Sequence, residues 1–375
     1  MTLVAEPRHQ AADPDPSGQP AGAVTHADLD VPRRIGGVST DQVASSLGAL
    51  VGSLALTWIL YLQVLPFSGA IGFCVVWWVL YLGLYVAVSG LANPGPVVRS
   101  RLAAAVMTSG ALVVLGALVG TLAYVIVQGW PALHHLNFFT QDMAGVSPTA
   151  PLTEGGIKHA LVGSAVQIAI ATAIALPLGI GTAIYLTEVG GRAAVVVRTV
   201  TEAMTALPDI LAGLFVYVVL LINLGMSRVG LAAAIALAVT MLPTIARSAE
   251  VTLRVVPAGL REASLALGAS RWRTVWTVVL PSARTGLATA LILGVARITG
   301  ETAPLLIVSG NSTFFNADPL SEPMNSLPLF TFAGIKSGQT LAIQRAYGAA
   351  VVLLLFVLIL FVLTRLLARN RMGKR

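Results

Sequence analysis

Arg297 and Glu301 stand four residues apart in the stretch Gly294–Pro304, inside an otherwise apolar span. A charged side chain at the bilayer centre costs roughly 2.5–3.5 kcal/mol even on insertion scales, and residues kept there mark functional sites. The pair therefore points to a polar path for a charged solute through a membrane protein. Arginine offers a planar fork of N–H groups matching oxyanion oxygens, and it does not deprotonate inside a protein. The four-residue spacing puts both side chains on one helix face. Cation before anion is the weaker order for helix stability, which counts against a purely stabilising role. Two readings stay open. Glu301 neutralises Arg297 at rest and yields it to a passing anion, or the two form a permanent structural ion pair. Pro304 cannot donate to the carbonyl of Gly300, so it kinks the span there. A carbonyl freed in lipid must face protein or a water-filled cavity, which puts 300–304 on the interior. Pro177, Pro208 and Pro243 bend their spans in the same way or serve ordinary packing. Asp209, near a span end, reads as a capping or interfacial charge. His134 and His135 read as surface histidines rather than a metal site.

The elements that must position these residues are membrane helices. The chain has 375 residues, 56% hydrophobic and only 10% charged, with a mean hydropathy of +0.84. Soluble domains carry about 25% charged residues, so an ordinary soluble fold is excluded. Apolar runs of membrane-crossing length predict an all-α, polytopic bundle of about eight spans. They fall at about 46–65, 70–91, 102–127, 159–186, 205–224, 229–248, 284–308 and 346–367. Residues 1–45 are polar and read as a disordered cytoplasmic tail with no cleavable signal peptide. Residues 46–100 hold two N-terminal spans, 101–370 a six-span core, and 371–375 a basic C-terminal tail. With the amino terminus inside, eighteen of the 23 Lys and Arg residues fall in cytoplasmic segments. Four fall outside: Lys158, Arg228, Lys336 and Arg345. This asymmetry predicts both termini in the cytoplasm. It also accounts for the +7 charge without nucleic acid. The lone Cys74 excludes a disulfide framework within one chain.

Two outer connections are long. Gly129–Lys158 contains Trp130, Phe138 and Phe139 and suits a short interfacial helix. Ser309–Arg345, rich in Pro, Asn and Ser, reads as a surface loop. The longest cytoplasmic connection, at 250–282, is the most patterned. Pro257 should start a short helix, Gly268 should turn the chain, and Trp272, Val275, Trp276 and Val279 should form one apolar stripe. Such a protrusion suits either the lipid headgroups or a docking protein.

The stretch REASLALGASRWRTVWTVVLP, Arg261–Pro281, resembles the EAA loop of ABC-importer permeases, with Glu262, Ala263, Gly268, Leu280 and Pro281 on the family pattern. In that family the loop is the coupling helix that fits a groove on the ATPase. Four further stretches are similar to PstA-type permeases of phosphate importers: VARITGETAPLLIVSG at Val295–Gly310, LPTIARSAE at Leu242–Glu250, GGIKHALVGS at Gly155–Ser164 and LPDILAGLFVY at Leu207–Tyr217. The resemblance covers roughly residues 152–369 and leaves the first two spans without a counterpart. It implies that Arg297, Glu301 and Arg247 belong to the substrate path, although Arg247 serves equally as an orientation residue. It also implies an ATP-binding subunit dimer, a second homologous permease, an external phosphate-binding protein and a bacterial plasma membrane. No GxxxxGK[ST] phosphate loop occurs in the chain. The chain itself would bind no cofactor, and a partner would use the ATP. Permeases for another oxyanion, or the partner half of the same importer, remain alternatives because arginine alone does not separate phosphate from sulfate. An intramembrane enzyme is the remote one, since no HExxH or GxSxG pattern appears.

Overall fold

The structure is a computed structural model and describes residues 40–64 and 69–369. Most of the tail assigned to 1–45, and the basic end at 371–375, lie outside the described residues. The chain divides into two units at Leu115. In the first, α1 (Thr40–Ile59) runs on through a wider turn at Leu60–Val64 and packs against α2 (Ala70–Ala92). Ser45, Ala49, Ser53 and Thr57, spaced by four, are the buried stripe of α1. Small residues are what membrane helices need here, because lipid supplies no hydrophobic drive and close van der Waals approach must replace it. The long α3 (Gly95–Leu133) begins in this unit, where Arg101 donates to the Ser89 hydroxyl at 3.3 Å.

The second unit is built on α5 (Lys158–Ile184) and α8 (Gly230–Arg254), which face each other through alanines. Ile245 of α8 is wedged between glycines: a Cβ at Gly179 or at Gly294 would each lie 2.7 Å from it. Pro177 and Pro243 sit inside α5 and α8 without breaking them. Two other expected spans are broken. The one at 205–224 is two helices, α6 (Arg192–Ala206) and α7 (Asp209–Val216, widening through Asn223), bent by 107°. Leu207 is extended, with ψ 135°, as a residue before proline must be. The span at 284–308 is not a kinked helix either. Helix α11 (Leu280–Thr299) stops, 300–302 leave the helix, and α12 (Ala303–Val308) restarts with Pro304 in its first turn, where its missing N–H is not needed. Among the described residues, seven helices are long and apolar enough to cross a membrane, or eight with the bent pair counted as one span.

The connections carry more structure than their composition suggests. After α3 comes the short α4 (Asn137–Thr140), which carries Phe138 and Phe139 where a short helix was expected. The loop expected at Ser309–Arg345 contains α13 (Leu327–Lys336), with Leu327, Pro328 and Leu329 buried, before α14 (Thr340–Arg369). Arg345, counted as an outer charge, is only 1% exposed. Its Nη2 donates to the carbonyls of Ala150, Pro151 and Glu154 at 2.9, 2.7 and 3.0 Å. It ties the connection between α4 and α5 to the start of α14.

On the opposite connection, α9 (Ala258–Ala266) follows Pro257, and Gly268 turns the chain at φ +83° before α10 (Arg271–Thr274). The apolar stripe expected there divides. Val275 and Val279 are 4% and 0% exposed, whereas Trp272 and Trp276 point outward at 62% and 56%. The turn from α10 widens through Val275–Val279, so the 3.6-residue register that would align all four is not kept.

Helices α7 and α12 approach at Gly213, where a Cβ would lie 2.6 Å from the Cα of Pro304. Gly213→Leu should therefore cost about 1–3 kcal/mol through overpacking. Gly181→Ala, facing open space, should change little. Thermal unfolding of the detergent-purified chain checks both, and equal melting temperatures would remove the close-packing account.

Candidate functional site

Both helix breaks serve one charge pair. Asp209 occupies the first turn of α7, and Arg297 the last turn of α11. A helix N-terminus favours an anion and a C-terminus a cation, so each charge sits on the end that suits it. The breaks turn these ends toward each other. Arg297 Nη2 donates to both carboxylate oxygens of Asp209, at 2.9 and 3.2 Å. Glu301, in the non-helical link after α11, lies farther away, 3.9 Å from Arg297 Nε. Sequence reading paired Arg297 with Glu301; the structure makes Asp209 the nearer partner and Glu301 a second carboxylate. Because α11 ends at Thr299, Glu301 holds its place through the link and not through a shared helix face. Asp209 is not merely the capping or interfacial charge expected. The available signal was Leu-Pro-Asp, an acid directly after a helix-breaking proline.

A cavity of about 310 Å³ opens beside the pair, walled by Asp209, Arg297, Thr205, Thr240 and Thr244 together with apolar side chains such as Phe215. It is far roomier than a single water needs. Arg297 and Asp209 keep 39% and 29% of their side chains exposed. The pair is therefore reachable, with low-polarity walls behind it.

Arg247 does not line this cavity. It belongs to a separate cluster with Glu202, 3.1 Å away, and Glu250, 3.8 Å away. Glu250 is the centre of that cluster. Its carboxylate, 4% exposed, also meets Arg198 at 2.8 Å and Arg254 at 2.6 Å, joining α6 to α8. Three arginines around one buried carboxylate form a structural knot.

Glu262, Ala263 and Gly268, expected to form a coupling loop, are all exposed. Glu262 makes no ion pair among the described residues. The preceding Arg261 is committed inward. It donates to Glu188 through Nε and Nη2 at 3.1 and 2.9 Å, and to the carbonyls of Val256 and Leu253 at 2.6 and 2.9 Å. Glu188 lies in the widened turn Tyr185–Val189 that continues α5, so one guanidinium bolts the loop to both central helices. Sequence reading passed over Arg261, Glu188 and Glu250, because their meaning lies in contacts distant along the chain.

A chain with membrane-length helices, two of them broken so that facing termini present a reachable ion pair to a cavity, is a polytopic transport permease. It belongs to the binding-protein-dependent transport system inner membrane component family, whose description matches residues 175–372. It is 37% identical over 261 residues to the phosphate transport system permease protein PstA 1 of Mycobacterium tuberculosis, covering 69% of this chain and 85% of that protein. The PstA of Haemophilus influenzae is 35% identical over 252 residues, 66% of this chain and 85% of its own. Among solved structures, a chain of the inward-facing MetNI methionine ABC transporter is similar over 57% of this chain and 94% of its own, at 23% identity and a TM-score of 0.45. The protein is a membrane-embedded transport subunit and not an enzyme, and its family works with an ATPase and a binding protein.

Glu250→Gln should destabilise the chain by about 1–3 kcal/mol, since charged hydrogen bonds to a buried carboxylate are lost. Arg247→Gln, removing half-exposed pairs, should cost under about 1 kcal/mol. Melting temperatures of the purified variants test that order, and a larger loss from Arg247→Gln would contradict the knot.

Proposed function

We propose that this chain is one permease half of an ATP-driven importer of inorganic phosphate, working by alternating access in a bacterial plasma membrane with both termini cytoplasmic. The observation that carries this reading is a reachable guanidinium, Arg297, at the wall of a cavity, in a chain whose relatives are phosphate transport permeases. The asymmetric distribution of cations supports the orientation.

Phosphate is strongly hydrated, so its path must replace water with donors and still release the ion. Arg297 is held at rest by Asp209 and, more loosely, by Glu301. Bare guanidinium charge therefore never faces apolar walls without a counter-ion, a state that is costly at low polarity. An arriving oxyanion competes for the same fork of donors. Because Asp209 rides on α7 and Arg297 on α11, movement between these helices changes how tightly the carboxylate holds the cation. A tightly paired arginine is closed to phosphate, and a loosened one is open.

The energy comes from partners. An ATP-binding subunit dimer docks at the loop carrying Glu262, Ala263 and Gly268, and it alone uses ATP. A second, homologous permease completes the pathway, and an external binding protein delivers phosphate. Through its bonds to Glu188, Leu253 and Val256, Arg261 passes movement of the docked loop to α5 and α8 together. The chain needs no cofactor of its own, and Arg247 acts on the path only through the cluster that holds α6 to α8.

Phosphate uptake by cells carrying Arg297→Gln should fall at least about tenfold, as losing a charge-assisted donor implies, with complex assembly intact by co-purification. Uptake at the wild-type rate would end the role given to Arg297. Glu262→Ala should instead lower the amount of ATPase that co-purifies, or the phosphate moved per ATP; an unchanged complex with unchanged coupling would remove the docking assignment.

A further inference from the structure

An arginine does not tell phosphate from sulfate. Both are tetrahedral oxyanions, sulfate with two negative charges and phosphate with one or two near neutral pH, and both present oxygens to the same fork. They differ in hydrogen: phosphate keeps at least one P–OH, and sulfate has only acceptors. Selection between them needs a fixed acceptor beside the cation.

The cavity has this inventory. Arg297 is its one cationic donor, and Asp209 its one carboxylate. Two of its hydroxyls are already spent as donors, Thr205 Oγ1 to the Thr201 carbonyl at 2.9 Å and Thr240 Oγ1 to the Leu237 carbonyl at 2.9 Å. Their oxygens remain as acceptors. Glu301 is not among the lining residues; its side chain meets both Asp209 and Arg297, so it stays in contact with the pair while Asp209 faces the cavity. Thr244 adds one hydroxyl able to donate or accept, so beside Arg297 the wall offers acceptors at Asp209, Thr205 and Thr240 and a single further donor. An anion without a hydrogen would set its oxygens against a carboxylate and against lone pairs, between apolar residues that sharpen the mismatch. An ionised carboxylate only accepts. A protonated oxyanion would give its hydrogen to Asp209 and its charge to Arg297.

We propose that Asp209 is the specificity-determining residue of the path: it accepts the hydrogen bond of a protonated oxyanion and turns away one that has no hydrogen. The inference rests on the phosphate-path reading and deepens it. Discrimination then occurs within the membrane, at an ion pair that must open for each passage. A site built around a solute hydroxyl strongly rejects the analogue lacking it, because its own polar group is left unmatched.

The test is binding of radiolabelled phosphate to the assembled importer, purified without its external binding protein so that only the membrane path selects. Competitors are arsenate, which keeps a hydroxyl, and sulfate, which does not. In the wild type, arsenate should displace the label while sulfate at about a hundredfold excess should not. Asp209→Asn should bind phosphate at least about tenfold more weakly and bring sulfate close to arsenate as a competitor. Asp209→Glu, keeping the carboxylate, should keep the ranking, and its assembly by size-exclusion chromatography separates selectivity from misfolding. If Asp209→Asn tightened both anions alike, the residue would be only a counter-ion and the inference would fall. An unchanged ranking in Asp209→Asn would overturn it too, with the phosphate path left standing. Label binding that Arg297→Gln leaves intact would sink the path itself, and this inference with it.

Discussion

The cost of a charge in an apolar setting governs the second unit of this protein. Arg297 is affordable only with carboxylates at 2.9 Å and 3.9 Å, and those carboxylates reach it only because two helices are broken. Continuous helices would place Asp209 and Arg297 along the sides of their spans, each needing its own partner. Breaking the chain at Leu207–Pro208 and at 300–302 converts the sites into helix ends. There, unsatisfied backbone N–H and C=O groups supply fields of the required sign. Backbone that leaves the helix at membrane depth must be covered by protein or water. The packing of α7 on α12 at Gly213 and the cavity beside the pair supply that cover.

The remaining ion pairs are built differently. Glu250 is buried and surrounded by arginines of α6 and α8, and Arg345 is buried and spends one amino group on three carbonyls. These are fully committed charges. Arg261, between α5, α8 and the coupling loop, is of the same kind. The pair at the cavity stays partly exposed and has one loosely held carboxylate. This contrast sets the cavity pair apart from the others, which hold helices together, and supports the proposal that it exchanges partners.

Rigid and movable parts follow from the same division. Alanine and glycine faces let α5 and α8 pack around Ile245 with little room to shift, and Arg261 pins their ends to the loop at 250–282. Helices α7, α11 and α12 meet at breaks, where few dihedrals need to change for one helix to move against another. A motion entering at Glu262 would thus reach the Asp209–Arg297 contact through a stiff pair of helices and a hinged set.

The sequence alone determined the class of fold, the number and approximate places of the spans, and the cation in the membrane. These follow from hydropathy, from the price of a buried charge and from short motifs, all local along the chain. The turns at Pro257 and Gly268 were legible for the same reason: proline's fixed φ and glycine's positive φ are residue properties. Only the tertiary structure decided which carboxylate Arg297 meets, because Asp209 lies 88 residues away. It also decided that Arg247 belongs to the Glu250 cluster, that the connection at 150–154 folds onto Arg345, and that Trp272 and Trp276 face outward. Those outcomes depend on how sharply a proline bend turns the chain and on how closely glycine lets two helices approach, quantities that no run of residues states by itself.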